Sequence, residues 1–157
     1  VNVSDIPVGT LAGLTPLPDG LVVNSFLSLT TDGFLEADFI AAHVTLFVEK
    51  NWLSANKIHE WSLQFNRFDE PSAQWRPVAA KRVREDETRV FFSVVVPGFS
   101  RWTITGSQDP PEVQFLIEDL TIGPRNPKAG DEVAIQVYVT NVTDQELELN
   151  LALWLND

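Results

Sequence analysis

The sequence predicts an all-β chain: an antiparallel β-sandwich module carrying one short helix, followed by an incomplete immunoglobulin-like β-sandwich. Three observations carry that expectation. Apolar residues recur with period two along most of the chain, and successive side chains of a strand point to opposite faces. No helical pattern of 10–15 residues separates these runs, which argues against the crossover helices of a parallel sheet. The turn-forming cluster Gly106-Ser107-Gln108-Asp109-Pro110-Pro111 interrupts two strongly alternating stretches and marks a joint.

Taken in order, Val44, Leu46 and Val48 form the first clear row. Trp52, Leu53 and Asn56 then fall at helical spacing, so residues 52–57 are expected to make one or two helical turns stabilised by packing rather than by propensity. Trp61, Leu63 and Phe65 alternate with Ser62, Gln64 and Asn66, the pattern of a strand with one wet face. Val90, Phe92, Val94 and Val96 share a face, and the apolar Phe91 and Val95 between them predict a central strand covered on both sides. Beyond the joint, Val133, Ile135, Val137 and Val139 make another row. Leu147, Leu149, Leu151, Leu153 and Leu155 make the last, ten residues of strict alternation. A helix would set Leu147 and Leu149 about 200° apart and leave no apolar stripe. Most of the prolines stand at the ends of these runs, as edges and turns require.

Bulk composition narrows the functional classes. The 157 residues are 44% hydrophobic, enough to bury one medium core or two small ones. No apolar run approaches the ~20 residues of a membrane-spanning helix. The chain starts at Val1 and lacks Met, so it is expected to be a processed product or a piece of a longer polypeptide. The absence of Cys removes disulfides, thiolate metal sites and cysteine nucleophiles together. A net charge of −11 argues against nucleic acid as a partner. Most of that excess sits late: residues 1–106 carry 12 acids and 9 bases, residues 107–157 carry 10 acids and 2 bases. This shift supports a first domain over residues 1–106, a Pro-rich linker over 107–111 and a partial β domain over 112–157.

The text Val48-Glu49-Lys50-Asn51-Trp52-Leu53, then Asn56-Lys57-Ile58, then Trp61 to Phe68, then Trp75-Arg76-Pro77-Val78, then Val96-Pro97-Gly98-Phe99-Ser100-Arg101-Trp102-Thr103-Ile104 resembles the PGF-pre-PGF domain of archaeal-type surface proteins. The resemblance covers residues 44–106. Arg76-Pro77 departs from it, standing where an acid and Leu-Pro are usual. Downstream, Leu120-Thr121-Ile122-Gly123-Pro124, Pro127-Lys128-Ala129-Gly130-Asp131-Glu132-Val133 and Val137-Tyr138-Val139-Thr140-Asn141-Val142-Thr143 are similar to the opening strands of CARDB-type and related Ig-like adhesion modules. The two resemblances imply a surface-exposed layer, stalk or adhesion protein without enzymatic activity. They give Trp52, Leu53, Pro97, Gly98, Phe99 and Ser100 structural roles. Independently, Gly98 suits a sharp turn that returns Phe99 to the core.

Candidate sites are few. His43 and His59 lack metal-ligand spacing, and no nucleophile elbow, phosphate loop or dinucleotide fingerprint occurs. Calcium is the ion best suited to this acidic chain, with Asp109, Glu112, Asp131 and Glu132 as candidate ligands. The competing reading of the same carboxylates is a solvated acidic surface. Asn2 and Asn141 begin Asn-x-Ser/Thr sequons and are candidate glycosylation sites. Trp154 faces away from Leu153 and Leu155 and is a candidate interface residue. The charged run Lys81 to Glu87 reads as an exposed hairpin or a guarded edge strand.

Residues 112–157 are too few for an Ig-like sandwich of about 100 residues. Either the chain is cut from a longer one, or another subunit supplies the missing strands, with residues 1–8 as a conceivable donor. The expected function is therefore that of a non-catalytic structural building block of an extracellular surface assembly. Its partners would be itself or other surface-protein subunits. The alternative is an adhesion or glycan/protein-binding module of a larger secreted protein.

Overall fold

The computed structural model describes residues 2–7, 16–30, 41–143 and 145–152. The chain forms two compact units, Val1–Asp109 and Pro110–Asp157. The first contains β1 (Asn2–Asp5), β2 (Val22–Thr30), β3 (Ala42–Glu49), α1 (Lys50–Asn56), β4 (Gln64–Asp69), β5 (Gln74–Val78), β6 (Ala80–Glu85), β7 (Arg89–Val96) and β8 (Ser100–Gly106). The second contains β9 (Phe115–Gly123) and β10 (Ala134–Asn141).

In the first unit the strands form a five-stranded sheet, order β1-β2-β8-β4-β5, and a three-stranded sheet, order β3-β7-β6. Every pairing is antiparallel. One core cluster joins the two layers. Leu27, Leu29, Phe65, Trp102 and Ile104 come from the larger sheet, and Val44, Leu46, Val48, Val90, Phe92, Val94 and Val96 from the smaller. The Phe65 and Phe92 rings meet across the layers at 5.0 Å between centroids. Burial of each such side chain contributes roughly 1.5–3 kcal/mol, so the alternating rows named in the sequence are what hold the sandwich closed.

The helix α1 lies between β3 and β4 and buries Leu53. It ends where Lys57 turns left-handed at φ 55°, returning its N–H to the carbonyls of the last turn. Ile58 then donates its N–H to Leu53 O at 2.9 Å, and His59 donates to Ser107 O at 2.9 Å. These bonds dock the helix exit against the end of β8.

Three expectations change. First, β4 begins at Gln64, and Trp61 lies in a turn. The supposed wet side is also partly dry, since Ser62 and Asn66 are buried. The Ser62 hydroxyl lies 2.7 Å from the carbonyl oxygens of both His59 and Ser107 and accepts the Ser107 N–H at 2.8 Å. Asn66 donates to the buried Thr105 hydroxyl at 3.4 Å, so these polar groups are placed by hydrogen bonds rather than by hydration. Second, β7 is central in its sheet, but among the described residues no second layer covers its outer side: Val95 is exposed, and Phe91 is shielded by the Arg84 guanidinium, 3.4 Å from its ring centroid. Arginine here does the covering that an apolar layer was expected to do.

Third, the alternating leucines form no strand over residues 145–152, the described part of that run. Alternation allows a strand, but pairing makes one, because the backbone N–H and C=O groups need a ladder partner. Among the described residues of the second unit the only sheet is the β9–β10 hairpin. Leu149 and Leu151 are exposed.

Candidate functional site

The hairpin of the second unit is the least complete part of the described chain. Its register pairs Ile117 with Val139 and Ile122 with Ile135. Between these pairs β9 carries one extra residue: Tyr138 faces Glu118 while Gln136 faces Thr121, and Asp119 takes φ 53°. This bulge shifts the phase of β9, so that Ile117, Leu120 and Ile122 share one face with Ile135, Val137 and Val139. Leu116, Glu118, Thr121, Gln136, Tyr138 and Thr140 occupy the other. The apolar face is open to water, with Ile117 59% and Leu120 61% exposed. A two-stranded hairpin is marginal in water until a hydrophobic face is covered.

The turn after β10 is built more firmly. Asn141 Oδ1 accepts the Thr143 N–H and hydroxyl, each at 2.9 Å, and its Nδ2 donates to Gln145 O at 2.7 Å. Val142 is fully buried and donates its N–H to Gln114 O. No strand follows among the described residues.

Among the described residues of the first unit the sheet edges β1, β5, β3 and β6 are unequal. The β5 edge carries Arg76 and Pro77, and the chain crosses from β5 to β6 through Ala79 alone. The β6 edge has a register shift between Arg82 and Arg84 and a charge network in which Arg82 meets Glu60 at 3.2 Å and Glu85 at 2.8 Å, with Lys50 3.0 Å from Glu85. Hydrogen bonds from Lys50 and Arg82 hold the Glu85 carboxyl below its ordinary range. β1 is four residues long and contains Asp5. By contrast, β3 keeps uninterrupted register with β7 over eight residues, with no proline and no charged residue before Glu49. Charges, prolines and bulges are the devices that blunt an edge, and residues 42–48 of β3 carry no acid, lysine, arginine, proline or register shift.

A groove of about 470 Å³ runs beside β3, between it and the β1–β2 edge. Leu27, Leu46, Phe47, Ile104 and Val3 supply its apolar lining, and Asp5, Asn24 and Thr45 are among its polar groups. Among the described residues it is an opening on the β3 side of the sandwich.

The residues singled out in the sequence distribute as follows. Trp52 packs partly buried against the core and Leu53 lies within it. Gly98 is buried and Phe99 half-buried in the crossing from β7 to β8, while Pro97 is exposed. Positive φ falls on Gly20 and Gly130 among the described glycines. Ser100 donates its hydroxyl to Phe68 O at 2.6 Å, tying that crossing to β4. Asn2 sits exposed on β1, and Asn141 exposed at the end of β10. Asp109, Glu112, Asp131 and Glu132 are all exposed, and Asp131 spends Oδ2 on the Lys128 N–H at 2.8 Å. Among the described residues no three His, Asp or Glu side chains gather in a metal-holding group. Trp154 lies outside the described residues. Residues 2–5 of the conceivable N-terminal donor pair with β2 of their own chain, while residues 1 and 8 lie outside the described residues. Among the described residues no helix is long and apolar enough to cross a membrane.

The β3 edge and its groove carry no sequence motif. They become visible only when the pairing order is known. Comparison with family models, curated proteins and solved structures returned no match to this chain.

Proposed function

We propose that this chain is a non-catalytic building block of an extracellular surface assembly, a layer, stalk or filament, in which a partner completes the C-terminal unit. The observation that carries the reading is the open apolar face of the β9–β10 hairpin. Six aliphatic side chains on one side of a two-stranded sheet favour association, because exposed contiguous apolar surface marks interaction sites. The surface location rests on the resemblance of residues 44–106 to the PGF-pre-PGF domain and of residues 112–157 to CARDB-type modules. The two compact units, joined at Asp109-Pro110, suit a chain of modules.

Sedimentation of the purified chain over a wide concentration range tests the proposal, combined with hydrogen exchange in β9 and β10. Mass should rise with concentration, and protection of the β9 and β10 amides should rise with it. A monomer at every concentration, with hairpin amides as protected as those of β7 and β8, would sink the reading.

A further inference from the structure

We infer that the free edge of β3 accepts residues 147–152 of a second copy as an added strand, with Leu147, Leu149 and Leu151 entering the groove beside it. The inference rests on the assembling role proposed above and adds to the open hairpin face a second contact between copies. Strand addition needs an unpaired edge and pockets for alternate side chains. Among the described residues no strand pairs with β3 on the side away from β7. The adjoining groove of about 470 Å³ is lined by Leu27, Leu46, Phe47 and Ile104.

The same chain carries the matching segment. Residues 146–152 alternate Leu147, Leu149 and Leu151 with Glu146, Glu148 and Asn150, and they take part in no ladder. Added beside β3, a strand of this pattern would send its leucines inward beside Val44, Leu46 and Val48 and its polar residues toward water. The turn that Asn141 builds presents this segment just beyond β10.

Charge selects the acceptor. A second copy's residues 107–157, with 10 acids and 2 bases, repel Glu146 and Glu148, whereas residues 1–106 carry 9 bases against 12 acids. The better-guarded edges argue the same way, since β6 and β5 oppose an incoming strand with charge, a bulge or proline.

The chain has no cysteine, so engineered thiols report without background. Thr45→Cys chains are mixed with Asn150→Cys chains, oxidised and separated without reductant. The control mixture replaces Thr45→Cys by Val83→Cys, whose site on the β6 edge is exposed. A mixed dimer several-fold more abundant than in the control supports the inference, as does loss of association in Leu149→Asp with an unchanged unfolding transition. Association that persists without the selective cross-link overturns the β3 contact and leaves the assembling role standing. A chain that stays monomeric overturns both. A Thr45→Cys/Asn150→Cys double variant that oxidises wholly within one chain overturns the second copy as donor.

Discussion

Gly106 ends β8 where the exit of α1 docks, and Gly106→Ala probes that contact directly. A Cβ at this position would stand 2.5 Å from Ile58 Cγ2, 3.3 Å from Leu63 Cδ2 and 3.6 Å from Trp52 Cη2, where ordinary contact begins at 3.4 Å. The nearest atom cannot swing clear easily. Cγ2 is bonded directly to the Ile58 Cβ, and the backbone around it is held by the bonds from Ile58 N to Leu53 O and from His59 N to Ser107 O. Overpacking of a fixed site costs about 1–3 kcal/mol, while the lower chain entropy of alanine in the unfolded state offsets about 0.4–1 kcal/mol. The net loss should be about 1–2 kcal/mol, read as a lower urea midpoint with unchanged slope in tryptophan fluorescence. Ile58→Ala alone should cost about 2–5 kcal/mol as a truncation in the core. In the double variant the new methyl occupies space that Ile58 vacates, so the two costs should fall short of additivity by about 1 kcal/mol or more. Strict additivity, or a Gly106→Ala chain as stable as its parent, would refute the argument.

Three further outcomes follow from the same geometry. Arg67 Nε is buried without a hydrogen-bond partner on the inner side of β4, so Arg67→Met should leave stability unchanged or raise it by up to about 1 kcal/mol; a clear loss in denaturant titration would contradict this. The Asp86 carboxyl is lowered below its ordinary 3.8, chiefly by the Thr88 N–H and also by the Arg89 N–H, each 2.8 Å from Oδ1. Its contribution is therefore complete above pH 3.8 and is lost as pH falls through the lowered folded value, so Asp86→Asn should flatten the acid limb of the stability curve, and an unchanged limb would count against it. Finally, copies carrying −11 repel one another, so self-association measured by sedimentation should strengthen as salt is raised from low ionic strength, and weakening would point to an ion-paired contact instead.

The sequence made some of this legible and hid the rest for physical reasons. Val44, Leu46 and Val48, and Val90 to Val96, lie where their period of two puts them, because each strand has one face against a single core. Asn66 and Ser62 defeated the polar-means-wet rule, since hydrogen bonds to Thr105, His59 and Ser107 replace water. Ile117 and Leu120 share a face although they are three residues apart, which strict alternation does not predict; the extra residue near Asp119 supplies the missing step. Leu147 to Leu151 show the opposite failure, a perfect pattern with no ladder. Periodicity is a property of one segment and pairing a property of two, so the bare edge of β3 could not be read from residues 42–49 alone.

That asymmetry bears on the form an assembly would take. The proposed donor, residues 147–152, and the proposed acceptor, β3, are different surfaces of one chain, so the contact is heterologous rather than two-fold. Each copy that receives a strand keeps its own free to give. Such contacts close into a ring when the rotation between copies allows and otherwise extend as a filament. A closed two-fold dimer with two exchanged segments is the special case in which the ring has two members. Mass alone therefore distinguishes the outcomes: a plateau at a fixed small multiple of the chain marks closure, and growth without a plateau marks the filament. Thr45→Lys, which puts a charge in the middle of the β3 edge, should abolish either form at the same step, because both need the same first contact.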